Sequence, residues 1–411
     1  MALAEVTEWI EEYGRPGFVW FAKRLSANDT LANHSHQAGP YMPKALMFDV
    51  LPSLHRPRVE NPDVRLALYI DSHGDAREAR AIWYNKKLHD TGTRDETRLT
   101  NLGGQQSALL EPDSTGALTV FAFRPETAAA AAECHVWVCD DGTYEDLFEE
   151  RLGPVEPKEF VIWRPGAGRG ADLHTIAEGR ADCSLSSDEI PPAWLSRFPT
   201  GEQIIAKTLE MRTPTGTDAD VRLLRRRACE FEIFRSVERA VFLPRVTSGF
   251  PSLEDFLGLA QTILQSRKSR SGNSLELHAR EILREEGLTQ DADFSFKPVV
   301  EGGTKRPDFL FPSGAAYDDL SYPAERLRML AAKTTCKDRW RQVLNEAGRI
   351  RTKHLLTLQE GVSEGQFREM REAGVQLVVP AGLHRSYPKE VRPHLQTFES
   401  FIGDVRLLRS S

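Results

Sequence analysis

Two short stretches hold the residues whose types and spacing can do chemistry. In Arg306-Pro307-Asp308-Phe309-Leu310-Phe311 a proline and an acid precede three apolar residues, and in Leu330-Ala331-Ala332-Lys333-Thr334-Thr335-Cys336-Lys337 a lysine follows an apolar run. An acid and a lysine brought together on adjacent strands suit phosphodiester hydrolysis. That reaction needs oxygen ligands for Mg2+, a cation to orient water, and something to neutralise the charge building on phosphorus. Asp308 is the candidate first ligand and Lys333 the candidate charge. Such a site usually carries a second carboxylate two residues before the lysine, but that position is Ala331. Glu346 can fill the gap from a predicted helix over 337–351, where it lies about two and a half turns in at 3.6 residues per turn. Glu276, in Ser274-Leu275-Glu276-Leu277-His278, is a third carboxylate near the start of a predicted helix over 274–287. Each has a plain alternative: a strand-end turn residue for Asp308, a solvated helix face for Glu276 and Glu346.

Lys337-Asp338-Arg339 follows the catalytic stretch directly. A cation, an acid and a cation suit C·G pairs in the major groove, where Asp accepts from cytosine N4 and Lys or Arg donates to guanine O6 and N7. The alternative is a first helical turn with Asp338 at the positive end of the dipole. Arg267, Lys268 and Arg270, read as a connection before the Glu276 helix, are candidate phosphate contacts, with Arg341, Arg349, Arg351 and Lys353 behind the triplet. The run Arg225-Arg226-Arg227 reads as a solvated or dimer-rim surface. Near the start of the chain, Lys23 to Thr30, leading from a predicted strand into a polar loop, the segment from His34 to Tyr41, and the predicted loop Arg94-Asp95-Glu96-Thr97-Arg98 intersperse donors and acceptors, a mixture that suits base edges better than an all-basic patch.

The elements that must position these residues fall into two groups. Of 411 residues, 53 are Lys or Arg and 60 are Asp or Glu, too long a chain for one average domain. Residues 1–150 hold 14 basic and 24 acidic side chains. They read as an amphipathic helix around 4–13 followed by short β-type runs punctuated by Gly, Pro, Asn and Asp, a compact β-barrel or sandwich. Periodicity fades through 164–192. Beyond it, helices predicted over 202–212, 218–242, 252–266 and 274–287 precede strands over 308–311, 327–335, 354–358 and 375–379, an α/β layered domain.

The net charge of −7 argues against indiscriminate nucleic-acid binding and leaves room for a local basic groove. No apolar run approaches the length a bilayer needs, and the first thirteen residues carry four glutamates where a secretory leader carries basic residues. Five cysteines without a CxxC pair predict neither a disulfide framework nor a zinc site, and so a reducing, cytoplasmic setting. Gly166-Ala167-Gly168-Arg169-Gly170 lacks the later glycine of a dinucleotide turn, and no GxSxG occurs, so cofactor and serine-hydrolase readings drop out. A sequence-specific repressor without cleavage remains as the alternative; it would share the reading residues without needing Asp308, Lys333 and Glu346 together.

Asp308, Lys333, Lys337 and Glu346, set in 307–313 and 333–342, resemble the EcoRII family of restriction endonucleases, within the PD-(D/E)xK nucleases whose second acid has moved onto a helix. The likeness runs on through 25–30, 266–270 and 359–363, nearly the whole chain. It implies an N-terminal β-rich B3-like pseudobarrel over 1–173, a linker over 174–190, and a C-terminal α/β restriction-endonuclease-like domain over 191–411. It further implies a Mg2+-dependent type IIE enzyme, a homodimer that hydrolyses double-stranded DNA at or near 5′-CC(A/T)GG beside a companion DNA methyltransferase. On that likeness Asp308 and Glu346 bind metal, Lys333 positions water and phosphate, Glu276 assists and Tyr317 lies beside the site. The first domain binds a further, uncleaved copy of the target through Lys23, Arg24, Asn28, His36, Arg94, Glu96 and Arg98, and restrains the second.

Overall fold

The computed structural model describes residues 3–33, 39–165, 174–177, 183–213, 217–337 and 339–410. Its contacts divide the chain into two compact units, one built on Met1–Glu178 and the other on most of the chain from Gly179 onward.

The first unit comprises α1 (Leu3–Tyr13), β1 (Val19–Arg24), β2 (Tyr41–Met42), α2 (Lys44–Val50), β3 (Asp63–Ile70), β4 (Asp75–Tyr84), β5 (Glu96–Thr100), β6 (Leu118–Arg124), β7 (Glu133–Val138), α3 (Gly142–Leu152), β8 (Glu159–Trp163) and β9 (His174–Ala177). The strands form one nine-stranded sheet in the order β2-β5-β4-β3-β7-β6-β1-β8-β9, antiparallel except for β3 beside β7. In β3 the apolar residues Leu66, Leu68 and Ile70 alternate with more exposed ones, the period-2 pattern of a half-buried strand. β1 and β6 are buried at nearly every position because they are covered on both faces. Phe21, Phe121 and Phe123 join a core with Leu46, Met47 and Val50 of α2, while Trp20, Val120 and Ala122 join Val6, Trp9 and Ile10 of α1 and Phe148 of α3. Trp9 packs within 6 Å of the rings of Tyr13, Trp20, Trp137 and Phe148.

The second unit opens with α4 (Pro192–Ser196), α5 (Gly201–Met211), α6 (Ala219–Ser248) and α7 (Leu253–Glu285). Then come β10 (Ser295–Phe296), β11 (Phe309–Phe311), α8 (Gly314–Asp318), β12 (Arg328–Ala332), α9 (Trp340–Val343), β13 (Lys353–Leu356), α10 (Glu364–Glu372), β14 (Val375–Val378) and α11 (Phe398–Ser410). Its sheet runs β10-β11-β12-β13-β14: β10, β11 and β12 pair antiparallel, and β12, β13 and β14 pair parallel. Helices around such a mixed sheet give the expected α/β unit beside the β-rich one.

Four sequence expectations are corrected here. The stretch 267–273 is no connection, because α7 runs unbroken from Leu253 to Glu285. Ser and Gly there each cost a helix up to about 1 kcal/mol, and contacts to α6 offset this: Arg267 pairs with Glu238 at 2.6 Å, and Arg227 hydrogen-bonds to Ser274. Arg226 and Arg227 are not a solvated surface. Both are buried, Arg226 against Glu285 and Arg227 against Glu230, and Arg225 alone of the three is exposed. The predicted helix over 337–351 shrinks to the single turn of α9. Lastly, Cys183 and Cys229 form a disulfide across 46 residues, a separation with no motif to reveal it. Of the span read as linker, His174–Ala177 pairs with β8 in the first unit's sheet, and Cys183 and Ile190 pack with Trp194, Ile204 and Phe234 in the second unit's core. A helix expected over 363–373 is present as α10 between β13 and β14, whereas α2, α3, α8 and α11 were not foreseen.

Candidate active site

Antiparallel pairing of β11 with β12, with Phe309 opposite Leu330, brings Asp308 to the end of β12. Asp308 is 7% exposed, and its Oδ2 accepts from the Ala332 amide at 2.9 Å and from Lys333 Nζ at 3.4 Å. The strand end itself therefore aims this carboxylate. Lys333 stands one residue past β12, its amide held by the Leu356 carbonyl of β13 at 2.9 Å.

Glu346 reaches the same place from a loop, not from a helix as expected. The chain leaves α9, the Glu346 amide donates to the Val343 carbonyl, and Ala347 turns through the left-handed region at φ +47°. The Oε2 atom of Glu346 is buried without a hydrogen-bond partner. Burial first, then the charge of Asp308, pushes the Glu346 carboxyl up to about 7, with Lys333 and Lys353 pulling the other way. Glu276 lies well inside α7, 6% exposed. Burial and then Asp308 raise its carboxyl too, while Lys297 and Lys333 oppose the rise. Three carboxyl groups and one lysine thus share a buried, electrically connected space.

Mg2+ is held by one or two carboxylates together with waters and substrate oxygens. Asp308 and Glu346 are hard oxygen donors of that kind, and an orphaned buried carboxylate oxygen in a field that resists its charge is a group for which a cation would be the natural partner. Among the described residues no cluster of three or more His, Cys, Asp or Glu is arranged to hold an ion, so the fit rests on two carboxylates and leaves the remaining positions to solvent and phosphate.

Several residues around the site carry no sequence signal. Lys297, one residue past β10, salt-bridges Glu276 and donates to Asn273 Oδ1 at 3.1 Å. Gln359, buried, accepts through Oε1 from the amides of Cys336 and Lys337 at 2.8 and 3.0 Å, anchoring the segment that leads into 337–339, the triplet expected to read bases. Tyr317, on α8 and 1% exposed, hydrogen-bonds through its hydroxyl to Glu301. Burial and that contact push the phenol up to about 12. Five residues read as phosphate contacts are occupied otherwise: to begin with, the Arg349 guanidinium holds the carbonyls of Tyr317, Asp319 and Tyr322, and Lys353 is buried. Arg341 stacks on Trp340 and pairs with Glu369. Arg267 bonds Glu238 through two nitrogens, and Arg270 is buried over the rings of Phe231 and Phe234. Lys268 is exposed. Lys337 and Arg339 immediately precede α9, and Asp338 lies outside the described residues.

In the first unit Glu96 and Arg98 belong to β5, not to a loop. Period 2 puts them on one face while Thr97 and Leu99 turn inward. They line a cavity of about 290 Å3 together with Lys23, Asn28, Asp29 and Tyr41. Lys23 pairs with Asp29 at 2.8 Å, which with the Ser26 and Tyr41 amides holds that buried carboxyl below its usual range despite desolvation. Arg24 also borders the cavity, but its guanidinium turns inward, 7% exposed, to Glu145, Glu149 and the carbonyls of Val155 and Gly116. Arg94 stacks over the Tyr84 ring. His36 lies outside the described residues.

A mixed sheet whose central strand ends present an acid and a lysine, with a second acid arriving from the following loop, is the architecture of a PD-(D/E)xK-type nuclease. Matches to known families agree: residues 234–402 fit the family described as EcoRII C terminal, and residues 14–167 fit restriction endonuclease EcoRII, N-terminal. The type II restriction enzyme EcoRII of Escherichia coli is 41% identical over 408 residues, covering 98% of each chain. The chain belongs to the EcoRII family of type II restriction endonucleases. Among solved structures, metal-depleted Ecl18kI in complex with uncleaved, modified DNA is 21% identical, covers 52% of this chain and 80% of its own, and superposes with a TM-score of 0.43. The UbaLAI restriction endonuclease B3 domain with cognate DNA is 20% identical, covers 39% of this chain and 99% of its own, with a TM-score of 0.27. Overlaps this small carry no weight for fold or function.

Proposed function

We propose that this chain is a Mg2+-dependent, type IIE site-specific endonuclease that cleaves double-stranded DNA at or near 5′-CC(A/T)GG. It works as a homodimer in the cytoplasm, beside a methyltransferase that modifies the same site. The observation that carries the reading is the buried meeting of Asp308, Lys333, Glu276 and Glu346, with one Glu346 oxygen unpartnered. A repressor has no use for buried carboxyls held against their own repulsion.

In this reading Asp308 and Glu346 hold the ion. When bound, Mg2+ supplies a Lewis acid on a phosphate oxygen and lowers the cost of ionising water. Lys333, tethered to Asp308, orients the attacking water and lends its charge to the phosphorane as negative charge accumulates there. Glu276, paired with Lys297, assists from α7, and Tyr317 supports the site from α8. Lys337, Asp338 and Arg339 read C·G pairs, and Lys268 faces the DNA backbone while Arg267 and Arg270, packed against α6, brace the helix that carries it. The first unit binds a further copy of the target through Lys23, Asn28, His36, Arg94, Glu96 and Arg98, with Arg24 bracing the cavity wall, and this binding relieves a restraint on cleavage.

Methylation-free plasmid incubated with the protein and Mg2+ tests the proposal. Wild type is expected to give discrete fragments, and Asp308→Ala or Lys333→Ala to slow cleavage at least about a hundredfold while retaining specific binding in gel shift. Retained turnover in either variant would overturn the assignment.

A further inference from the structure

A ligand carboxylate must be held within about half an ångström to serve an ion as exacting as Mg2+. Glu346 has neither helix nor strand to hold it. α9 is one turn long and ends three residues earlier, and the next residue, Ala347, has a positive φ. The position of Glu346 is therefore decided by whatever grips the loop after it. Two grips are present. Glu301 Oε1 accepts from the Gly348 amide at 3.2 Å and from the Tyr317 hydroxyl, and that hydroxyl oxygen in turn accepts from the Arg349 amide at 3.3 Å. From the other side Lys353, 5% exposed, donates from Nζ to the carbonyls of Ala347 and Ile350, both at 2.6 Å.

The location of Glu301 gives the first grip its meaning. Glu301 forms part of the turn between β10 and β11, closed by the Val300 and Lys305 bridge, and Asp308 stands at the start of β11. One carboxylate on that turn thus ties the loop bearing Glu346 to the hairpin bearing Asp308.

We propose that Glu301 and Lys353 are positioning residues for Glu346: they clamp residues 347–350 so that the Glu346 carboxylate keeps a fixed separation from Asp308. Tyr317 belongs to the same clamp, acting through the loop and not on the phosphate. The proposal rests on the reading of Asp308 and Glu346 as the metal carboxylates.

Mn2+ binding to the full-length protein, read by the loss of free-ion electron paramagnetic resonance signal, tests it. Glu301→Ala is expected to weaken Mn2+ binding about 10- to 100-fold, and Tyr317→Phe, which keeps the buried ring, to weaken it in the same direction. Glu301→Gln retains an oxygen for the Gly348 amide and should recover most of the loss, with thermal midpoints in EDTA close to wild type for all three. Unchanged Mn2+ affinity in Glu301→Ala, while Glu346→Gln abolishes binding, would overturn the clamp. So would a loss that Glu301→Gln fails to rescue and that tracks a lowered midpoint. If Glu346→Gln binds Mn2+ as wild type does, the metal reading itself is what fails.

Discussion

Asp308 and Glu346 show how differently two carboxylates of one site can be kept. Asp308 receives a backbone amide and a lysine from the strand beside it, whereas Glu346 Oε2 is buried with no donor. Glu346 therefore holds its proton up to about pH 7, against an ordinary value of 4.5. A carboxyl whose folded pKa is raised stabilises the fold while protonated. That contribution is complete below its ordinary value and is lost as pH rises through about 7. In EDTA the thermal midpoint should consequently fall between pH 5 and pH 8, Glu346→Gln should flatten the fall, and Mg2+ should restore wild type at pH 8 but not the variant. An equal slope in both proteins would show that some other group titrates. At the reading triplet, Asp338→Ala should cost about 1 to 3 kcal/mol of discrimination at C·G positions. Affinities for cognate and singly substituted duplexes, compared at one salt concentration, measure this; equal losses on both would reduce Asp338 to a turn residue.

Among the elements, β11 and β12 do the most positioning, because antiparallel pairing alone sets the acid beside the lysine. α7 contributes Glu276 only because α6 keeps it straight through Gly272, with buried pairs from Arg227, Glu230 and Ser274 compensating for poor helix formers. In the first unit, β1 ends on a buried charge: Arg24 meets Glu145 at 2.8 Å and Glu149 at 2.9 Å. Removing one partner of such a group strands the other in the interior and costs roughly 3 to 5 kcal/mol. Arg24→Ala is therefore expected to lower the urea midpoint of the first unit, and its DNA binding only to the extent that the unit unfolds. A variant of wild-type stability that has lost DNA binding would make Arg24 a direct contact instead.

For the whole molecule, two units with separate cores make it possible for DNA bound by one to govern the other. A change from about 1:99 to 99:1 in the competent state needs roughly 5.5 kcal/mol of differential binding, within reach of a specific DNA contact. A fragment carrying the second unit should cleave single-site DNA faster than the full chain. Its start matters, since Cys183 and Ile190 belong to the second unit's core: it should begin just before Cys183, keeping the disulfide to Cys229. Initial rates on one-site and multi-site DNA at fixed salt decide the matter, and a folded, DNA-binding fragment no faster than the full chain on one site would exclude restraint.

The amino-acid sequence by itself determined the two-unit plan, most strands of the β-rich unit and the four charged residues that the fold brings together at the candidate site. These are written in local patterning, in period-2 alternation and in short motifs around Asp308 and Lys333. It did not determine how Glu346 arrives, since a run of helix-forming residues from 337 to 351 is overruled by tertiary hydrogen bonds from Glu301, Tyr317 and Lys353. Nor did it reveal Lys297 beside Glu276, the burial of Arg226, Arg227 and Arg270, or the tie between Cys183 and Cys229. Each depends on residues 21 to 59 positions apart meeting across packed elements, and a lone Lys, Glu, Arg or Cys looks the same in sequence whether it faces water or a partner. Local propensity is worth tenths of a kcal/mol to about one per residue, whereas leaving a buried charge unpaired costs several; where the two compete, the three-dimensional pairing prevails.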